Sequence, residues 1–117
     1  MKNIYSPALT ANGFVFCSGV LGKKKDGELS KGFEEQLKQA LQNLEEVLKR
    51  SEVAVSDVVK VEVYLKDMND FEVLNREYLN TFSFEPKPAR VTVEVARLPM
   101  DALVEISCVA VTKHHND

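Results

Sequence analysis

The chain has 117 residues, of which 44% are hydrophobic and 28% charged, with a formal net charge of −3. This length is typical of one domain with its own core, so residues 1–117 are taken as one domain. The acidic balance argues against a nucleic-acid surface. No apolar run approaches the roughly 20 residues of a membrane span, and the N-terminus lacks a signal-peptide apolar region.

The two cysteines, Cys17 and Cys108, lie inside apolar strand patterns. This placement predicts buried, reduced thiols rather than a disulfide, and a cytoplasmic location. The two histidines, His114 and His115, are adjacent in the C-terminal tail, and the cysteines lack ligand spacing. We therefore expect no metal site. Phosphate-loop and dinucleotide-binding glycine patterns are also missing from the sequence, so no cofactor is expected.

The N-terminal third predicts a hairpin and a strand that ends at a glycine. Asn12-Gly13 is a strong two-residue hairpin signal. Residues 14–20 then read as a strand that closes on Ser18-Gly19. A glycine inside a strand marks a bulge or a close backbone approach.

The middle of the chain predicts two helices separated by one strand. Residues 31–50 carry apolar side chains at helical spacing, with acidic residues in the first turn and basic residues in the last. Residues 58–66 alternate, and this alternation places Val59, Val61, Val63 and Leu65 on one side. A second helix is predicted over residues 71–81, with a buried stripe formed by Phe71, Leu74, Tyr78 and Phe82.

The C-terminal third predicts a strand hairpin. Val91, Val93 and Val95 alternate with polar residues, residues 99–101 contain turn formers, and residues 103–111 form the return strand. This arrangement places Arg90 and Glu105 on neighbouring strands. An arginine in an apolar strand costs free energy unless an anion meets it, and that anion could be a protein carboxylate or a ligand.

The predicted order of elements is β-β-(β)-α-β-α-β-β, which is an α+β fold with two helices on one face of a mostly antiparallel sheet. Residues 112–117 form a polar tail. The last strand is apolar or small at most positions of both parities, so both of its faces should be covered. Two helices cover only one face, and a homo-oligomer is therefore predicted.

The residues that could carry chemistry are few: Arg90, Glu105, Tyr5, Ser18, Thr92 and the backbone near Gly19. Arginine grips carboxylates in a bidentate manner, and a glutamate in a dry cleft acts as a general acid or base. Together they suggest a small acidic ligand and proton transfer to or from water. Two alternatives remain open, a structural ion pair of Arg90 with Glu105 or Glu94, and a solvated Glu105.

Several segments of the chain resemble the RidA/YjgF family, whose members are also called L-PSP endoribonucleases or translation inhibitors. The resemblance runs from about Ile4 to Thr112. It is carried by Tyr5-Ser6-Pro7-Ala8, Ser18-Gly19, Val59-Lys60-Val61, Val63-Tyr64-Leu65-Lys66-Asp67-Met68-Asn69-Asp70-Phe71, Asn75, Tyr78, Pro88-Ala89-Arg90, Val93-Glu94-Val95-Ala96-Arg97-Leu98-Pro99 and Val104-Glu105-Ile106.

This resemblance implies a chorismate-mutase-like α+β fold and a homotrimer with clefts between subunits. It implies hydrolysis of 2-imino acids, such as 2-iminobutanoate and 2-iminopropanoate, or of their enamine tautomers, to 2-keto acids and ammonia without a cofactor. Arg90 matches the family's carboxylate-binding arginine and Glu105 its water-positioning acid. Tyr5 and Ser18 match pocket residues, and Gly19 sits where the backbone approaches the substrate.

Two positions depart from the family pattern. Val20 stands where many members have glutamine, and Thr92 stands where many have cysteine. Both change the polarity of the pocket and bear on substrate preference. Two other functions compete with the deaminase: a non-catalytic trimer that binds 2-keto acids or similar small carboxylates, and the endoribonuclease or translation inhibitor of the family's older names. The acidic charge and the lack of internal histidines argue against RNA cleavage.

Overall fold

The computed structural model describes residues 3–112, and the predicted tail beyond Thr112 lies outside them. Five strands form one sheet in the order β1-β2-β5-β3-β4. Their bounds are β1 (Ala8–Ala11), β2 (Phe14–Leu21), β3 (Val58–Leu65), β4 (Ala89–Glu94) and β5 (Val104–Val111). Two helices, α1 (Phe33–Arg50) and α2 (Phe71–Thr81), complete the α+β fold that the sequence predicts. No helix of this described part is long and apolar enough to cross a membrane.

The N-terminal hairpin and the two helices form where the sequence predicts them. Asn12 and Gly13 both have positive φ, 52° and 82°, which the tight turn between β1 and β2 requires. Helix α1 begins at Phe33, two residues later than predicted, after Gly32 at φ 80°. Its apolar stripe is buried as expected, and it consists of Leu37, Ala40, Leu41, Leu44, Val47 and Leu48.

The core lies between the helices and one face of the sheet, which we call the helix face. Alternate residues of the central strands β3 and β5 point to it and are buried. They are Val61, Val63, Leu65, Val104, Ile106, Cys108 and Ala110. Leu74 and Tyr78 of α2, and Phe82 directly after it, are buried as predicted, whereas Phe71 is 39% exposed.

The predicted C-terminal hairpin is wrong. Strand β4 pairs in parallel with β3, and β5 pairs antiparallel with the other edge of β3, so β3 separates them. The connecting segment passes around the end of β3, where Val95 N donates to Leu65 O and Lys66 N donates to Leu103 O. Arg90 and Glu105 are therefore not on neighbouring strands. Strand β3 is an interior strand, because its backbone groups pair with β4 along one edge and with β5 along the other.

A bulge also changes which valine of β3 is buried. The register of β3 against β5 shifts between Val58 and Lys60. Val58 is buried and Val59 is 43% exposed, which corrects the prediction that Val59 shares a face with Val61. The extra residue reverses the alternation at the start of the strand.

The opposite face of the sheet, here called the open face, has no helix against it in the described chain. Exposed apolar side chains on it include Leu9, Phe16, Val91 and Val93. The residues of β5 that point to this face, such as Val109 and Val111, are only half-buried. The prediction that a partner subunit covers them stays a prediction.

Candidate functional site

Arg90 lies on the edge strand β4 with its side chain on the helix face, since it is in register with the fully buried Val61. Its guanidinium carbon lies 4.7 Å from the centre of the Tyr78 ring and 5.7 Å from that of Phe71. Its Nη2 donates a hydrogen bond of 2.7 Å to Asn75 Oδ1. Helix α2 therefore positions the Arg90 guanidinium through the rings of Phe71 and Tyr78 and the side-chain amide of Asn75.

The spacing of these three side chains along α2 explains why all of them contact Arg90. Phe71, Asn75 and Tyr78 are four and three residues apart, so they share one face of the helix. The sequence predicts the aromatic stripe and Asn75 matches the family pattern, but neither feature assigns Asn75 a role. The available signal was a polar side chain at helical spacing between two aromatic residues of a buried stripe.

The positive charge of Arg90 has no acidic partner within the described part of the chain. The ion pairs found there involve other cations. Glu94 instead accepts a hydrogen bond of 2.8 Å from Met68 N. Both structural ion pairs left open by the sequence are thereby excluded within one chain, since Glu105 lies on the other face of the sheet.

A cavity of about 230 Å³ opens beside the guanidinium. It is lined by Asn75, Tyr78, Leu79, Lys87, Pro88 and Arg90. The lining is apolar apart from the arginine, the lysine and the amide. A half-buried guanidinium in such surroundings attracts an anion, and a carboxylate matches its fork geometry.

Thr92 follows Arg90 on the same face, in register with Val63. Its Oγ1 is buried and has no hydrogen-bond partner among residues 3–112, and the same holds for the Tyr78 hydroxyl. Burial raises the pKa of Tyr78, while the charge of Arg90 opposes that shift. The neutral phenol thus presents its ring to the guanidinium. Arg90, Thr92, Asn75 and Tyr78 together are named the arginine half-site.

Glu105 lies on the open face between Leu21 of β2 and Tyr64 of β3. Burial raises the pKa of its carboxyl group. A β-carbon added at Gly19 would overlap the Glu105 carboxylate, whose Cδ would lie only 2.8 Å away. The register of β2 against β5 shifts between Cys17 and Val20, so a bulge lays the Gly19 backbone against the carboxylate. The sequence predicts a bulge or a close backbone approach at Gly19, and the structure has both there.

Ser18 directly precedes Gly19, and it is bonded to the N-terminal segment that carries Tyr5. The Ser18 hydroxyl donates a hydrogen bond of 2.6 Å to Ser6 O, and Ser18 N donates one of 2.9 Å to Pro7 O. These bonds hold the N-terminal segment against β2. Tyr5, at the end of that segment, is 66% exposed. Glu105, Gly19, Ser18 and Tyr5 are named the glutamate half-site.

The two half-sites occupy opposite faces of one sheet. Glu105 alternates with the buried Val104 and Ile106, whereas Arg90 shares the face of the buried Val61. A small molecule bound to Arg90 therefore cannot touch Glu105 of the same chain. Within the described residues there is also no group of three side chains that could hold a metal ion.

The fold and the two half-sites define a small α+β protein with an arginine pocket on one face and a backbone-flanked carboxylate on the other. A family model described as Endoribonuclease L-PSP matches residues 1–112. The chain therefore belongs to this family, the RidA/YjgF family that the sequence resembles. Reactive Intermediate Deaminase A from Arabidopsis thaliana is 44% identical over 108 residues, covering 91% of this chain and 57% of that protein.

Solved structures agree with this assignment. The crystal structure of RidA from the Antarctic bacterium Psychrobacter sp. superposes with a TM-score of 0.90 at 36% identity, covering 94% of this chain and 89% of that one. E. coli TdcF with bound serine superposes with a TM-score of 0.88 at 29% identity, covering 97% and 91%. The α+β fold is therefore shared with relatives of known structure.

Proposed function

We propose that the protein is an imine deaminase that hydrolyses 2-imino acids, such as 2-iminobutanoate and 2-iminopropanoate, to 2-keto acids and ammonia. The observation that carries the proposal is the half-buried Arg90 guanidinium, which lies between aromatic rings without an acidic partner among residues 3–112. A partly desolvated charge favours a counter-ion, and the adjoining cavity has room for a small carboxylate. The Arabidopsis relative bears the name of a reactive intermediate deaminase, which supports this chemistry.

The active site requires two copies of the chain. Because the half-sites lie on opposite faces of the sheet, the arginine half-site of one copy meets the glutamate half-site of the next. Such a head-to-tail contact closes into a ring, and the homotrimer implied by the family resemblance has this symmetry. Exposed apolar residues of the open face, Leu9 and Phe16 among them, supply surface for that contact.

In this arrangement the two half-sites divide the chemistry. Arg90 binds the substrate carboxylate and fixes the adjacent imine carbon, which is an orientation effect. Glu105 of the neighbouring copy holds a water molecule and accepts its proton as the water attacks that carbon. That proton passes to the imine nitrogen and gives a carbinolamine. The carbinolamine hydroxyl proton then moves to the same nitrogen, by way of Glu105, the carbon–nitrogen bond breaks as the carbonyl forms, and ammonia leaves with the 2-keto acid. The raised pKa of Glu105 suits an acid that takes up and returns a proton.

The test generates 2-iminobutanoate with an amino-acid oxidase and traps the surviving imine with semicarbazide. Wild-type protein should suppress the trapped signal, and Arg90→Ala should lose most of that effect. Arg97→Ala is the matched control, because Arg97 is exposed and pairs with Asp101 at 2.6 Å. Equal activity in wild type and Arg90→Ala would contradict the assigned role of the arginine.

Complementation tests the two-copy site. Arg90→Ala and Glu105→Ala chains, each inactive alone, are co-expressed at equal levels with different tags and purified as mixed oligomers. If the half-sites come from different copies, each mixed trimer has one intact site of its three, so about a third of the wild-type activity should return. If both residues act from one copy, every site stays defective and no activity returns. Complete absence of recovery in confirmed mixed oligomers would therefore reject the shared site.

A second function, binding of small carboxylates without turnover, has one specific observation in its favour. TdcF was solved with bound serine, a small molecule that carries a carboxylate. Saturable binding of 2-ketobutyrate that depends on Arg90, together with no imine hydrolysis in the trapping assay, would favour this binding function. The ribonuclease description of the family fits less well, since the net charge of −3 opposes RNA binding.

A further inference from the structure

Cys17 of β2 and Cys108 of β5 lie directly opposite each other in the sheet. Both side chains point to the helix face and belong to the core, at 8% and 2% exposure. Neither is in a disulfide. The neighbouring thiol lowers the pKa of Cys17, and together with burial it raises that of Cys108. The pair is therefore a buried dithiol in which Cys17 ionises more readily.

The backbone geometry of this pair suits a disulfide. Opposed residues of antiparallel strands have Cα atoms about 4.5 to 5.5 Å apart, and disulfides span about 4.4 to 6.8 Å. Thr112 N donates to Gly13 O four residues away, so Cys17 and Cys108 are a hydrogen-bonded pair, the wider class. The β-carbons, however, are about 4.5 to 5.5 Å apart in such pairs, whereas a disulfide needs about 3.5 to 4.5 Å, so bond formation must draw the two strands together at this point. Strained disulfides of this kind are easily reduced.

A cavity borders β1, the edge strand that pairs with β2 beside Cys17. This cavity, of about 240 Å³, lies between the N-terminal segment and the end of α1, lined by Pro7, Ala8, Val47, Arg50 and Ser51. Ala8 is the direct partner of Cys17 in β1. Because β1 is a four-residue edge strand, local opening there costs little and exposes Cys17 before Cys108.

We infer that Cys17 and Cys108 form a reversible intramolecular disulfide on exposure to a peroxide. The Cys17 thiolate attacks one peroxide oxygen, the oxygen–oxygen bond breaks, and a sulfenic acid and one water form after proton uptake. The Cys108 sulfur then displaces the sulfenic hydroxyl, which leaves as a second water with the Cys108 proton. Two electrons pass from the two thiols to the peroxide, and a dithiol reductant reverses the change.

The disulfide would act on the glutamate half-site. The bulge that follows Cys17 is the one that lays Gly19 against Glu105, and Glu105 lies three residues before Cys108. Drawing the two cysteines together therefore displaces the backbone that flanks the carboxylate. This consequence rests on the proposed function, because it concerns the rate of imine hydrolysis. Misplacement of about 1 Å costs up to about 100-fold in rate, so the oxidised protein should be at least about tenfold slower.

The experiment treats the purified full-length protein with graded hydrogen peroxide, quenches it, alkylates free thiols in denaturant and measures the intact mass. The expected product has lost two hydrogen atoms and both alkylation sites together, and dithiothreitol restores them. Peptide mapping should give a peptide that links Cys17 to Cys108. Cross-linked dimers, or stepwise addition of oxygen with no linked peptide, would overturn the inference.

Single variants test the order of events. In Cys108→Ala, Cys17 should accumulate as a sulfenic acid that a 1,3-dione reagent captures, whereas in Cys17→Ala the remaining Cys108 should resist the same dose. The reverse order would reject Cys17 as the attacking thiol. The mass measurement on wild type needs no deaminase activity, so it stands even if the proposed function fails. A disulfide that forms while hydrolysis continues at the full rate would overturn only the coupling to the site.

Discussion

The substitution Gly19→Ala separates activity from stability at the glutamate half-site. The added methyl group would lie 2.8 Å from Glu105 Cδ and 3.0 Å from its Cγ, closer than real carbon contacts. The obstacle is a flexible side chain rather than backbone. We therefore expect Glu105 to rotate away while the sheet stays intact.

The two energetic contributions nearly cancel. Replacing glycine by alanine where φ is negative stabilises a protein by about 0.4 to 1 kcal/mol through the unfolded state. Forcing a side chain off its preferred rotamer costs about 0.5 to 1.5 kcal/mol. The net change in unfolding free energy should lie within about 1 kcal/mol of zero. Imine hydrolysis, by contrast, should fall about 10- to 100-fold, because the carboxylate no longer holds water at the substrate.

The assay pairs steady-state imine hydrolysis with urea unfolding. Gly22→Ala is the matched control, since its methyl group would lie 2.6 Å from Gln36 Cα, and that backbone cannot rotate away. The control should lose stability clearly more than Gly19→Ala does. In a Glu105→Ala background, where the clash is gone, Gly19→Ala should become stabilising. If Gly19→Ala keeps full activity, the carboxylate does not need its observed position, and its assigned role is refuted.

Three further predictions concern neighbouring groups. Asn75→Ala removes the bond to the Arg90 guanidinium and should raise KM about 10- to 100-fold, with a smaller change in kcat; an unchanged KM would show that the aromatic rings alone position it. Thr92→Val removes a buried hydroxyl that has no hydrogen-bond partner within residues 3–112, so it should raise the unfolding free energy by about 1 kcal/mol, and a loss of stability in urea would contradict this. Burial raises the pKa of Glu105 in the folded chain above its ordinary value of about 4.3. The protonated carboxyl group therefore stabilises the fold at pH values below about 4.3, and this stabilisation is lost as the pH rises through the pKa of the folded state. Glu105→Gln should therefore melt above wild type at neutral pH, and this difference should vanish near pH 4; a constant difference would rule the titration out as its cause.

Local patterns predict the elements of this fold well. The apolar stripe of α1 and the turn at Asn12 and Gly13 are confirmed, because helical spacing and positive φ are properties of short segments. The glycine at the end of β2 is also confirmed as a close approach, since it meets Glu105. These features depend on contacts within a few residues, or on the lack of a side chain.

Strand pairing was harder to predict. Alternation in residues 90–96 identifies a strand but carries no information about its neighbour, and the turn at residues 99–101 suggested a hairpin. In the structure β3 lies between the two strands, because its two edges pair with β4 and β5. The bulge at Val59 has the same origin, since a register shift depends on the partner strand.

Residue patterns within the chain predict the α+β class, the helices, the family and the residues at which chemistry is expected, Arg90 and Glu105 among them. That these two residues face opposite sides of one sheet follows only from the way the strands pair. The same pairing brings together two cysteines 91 positions apart, and packing of α2 on the sheet brings Asn75 to the guanidinium. The physical reason is that side-chain periodicity is local, whereas the facing of two strands depends on long-range pairing between segments distant in the chain.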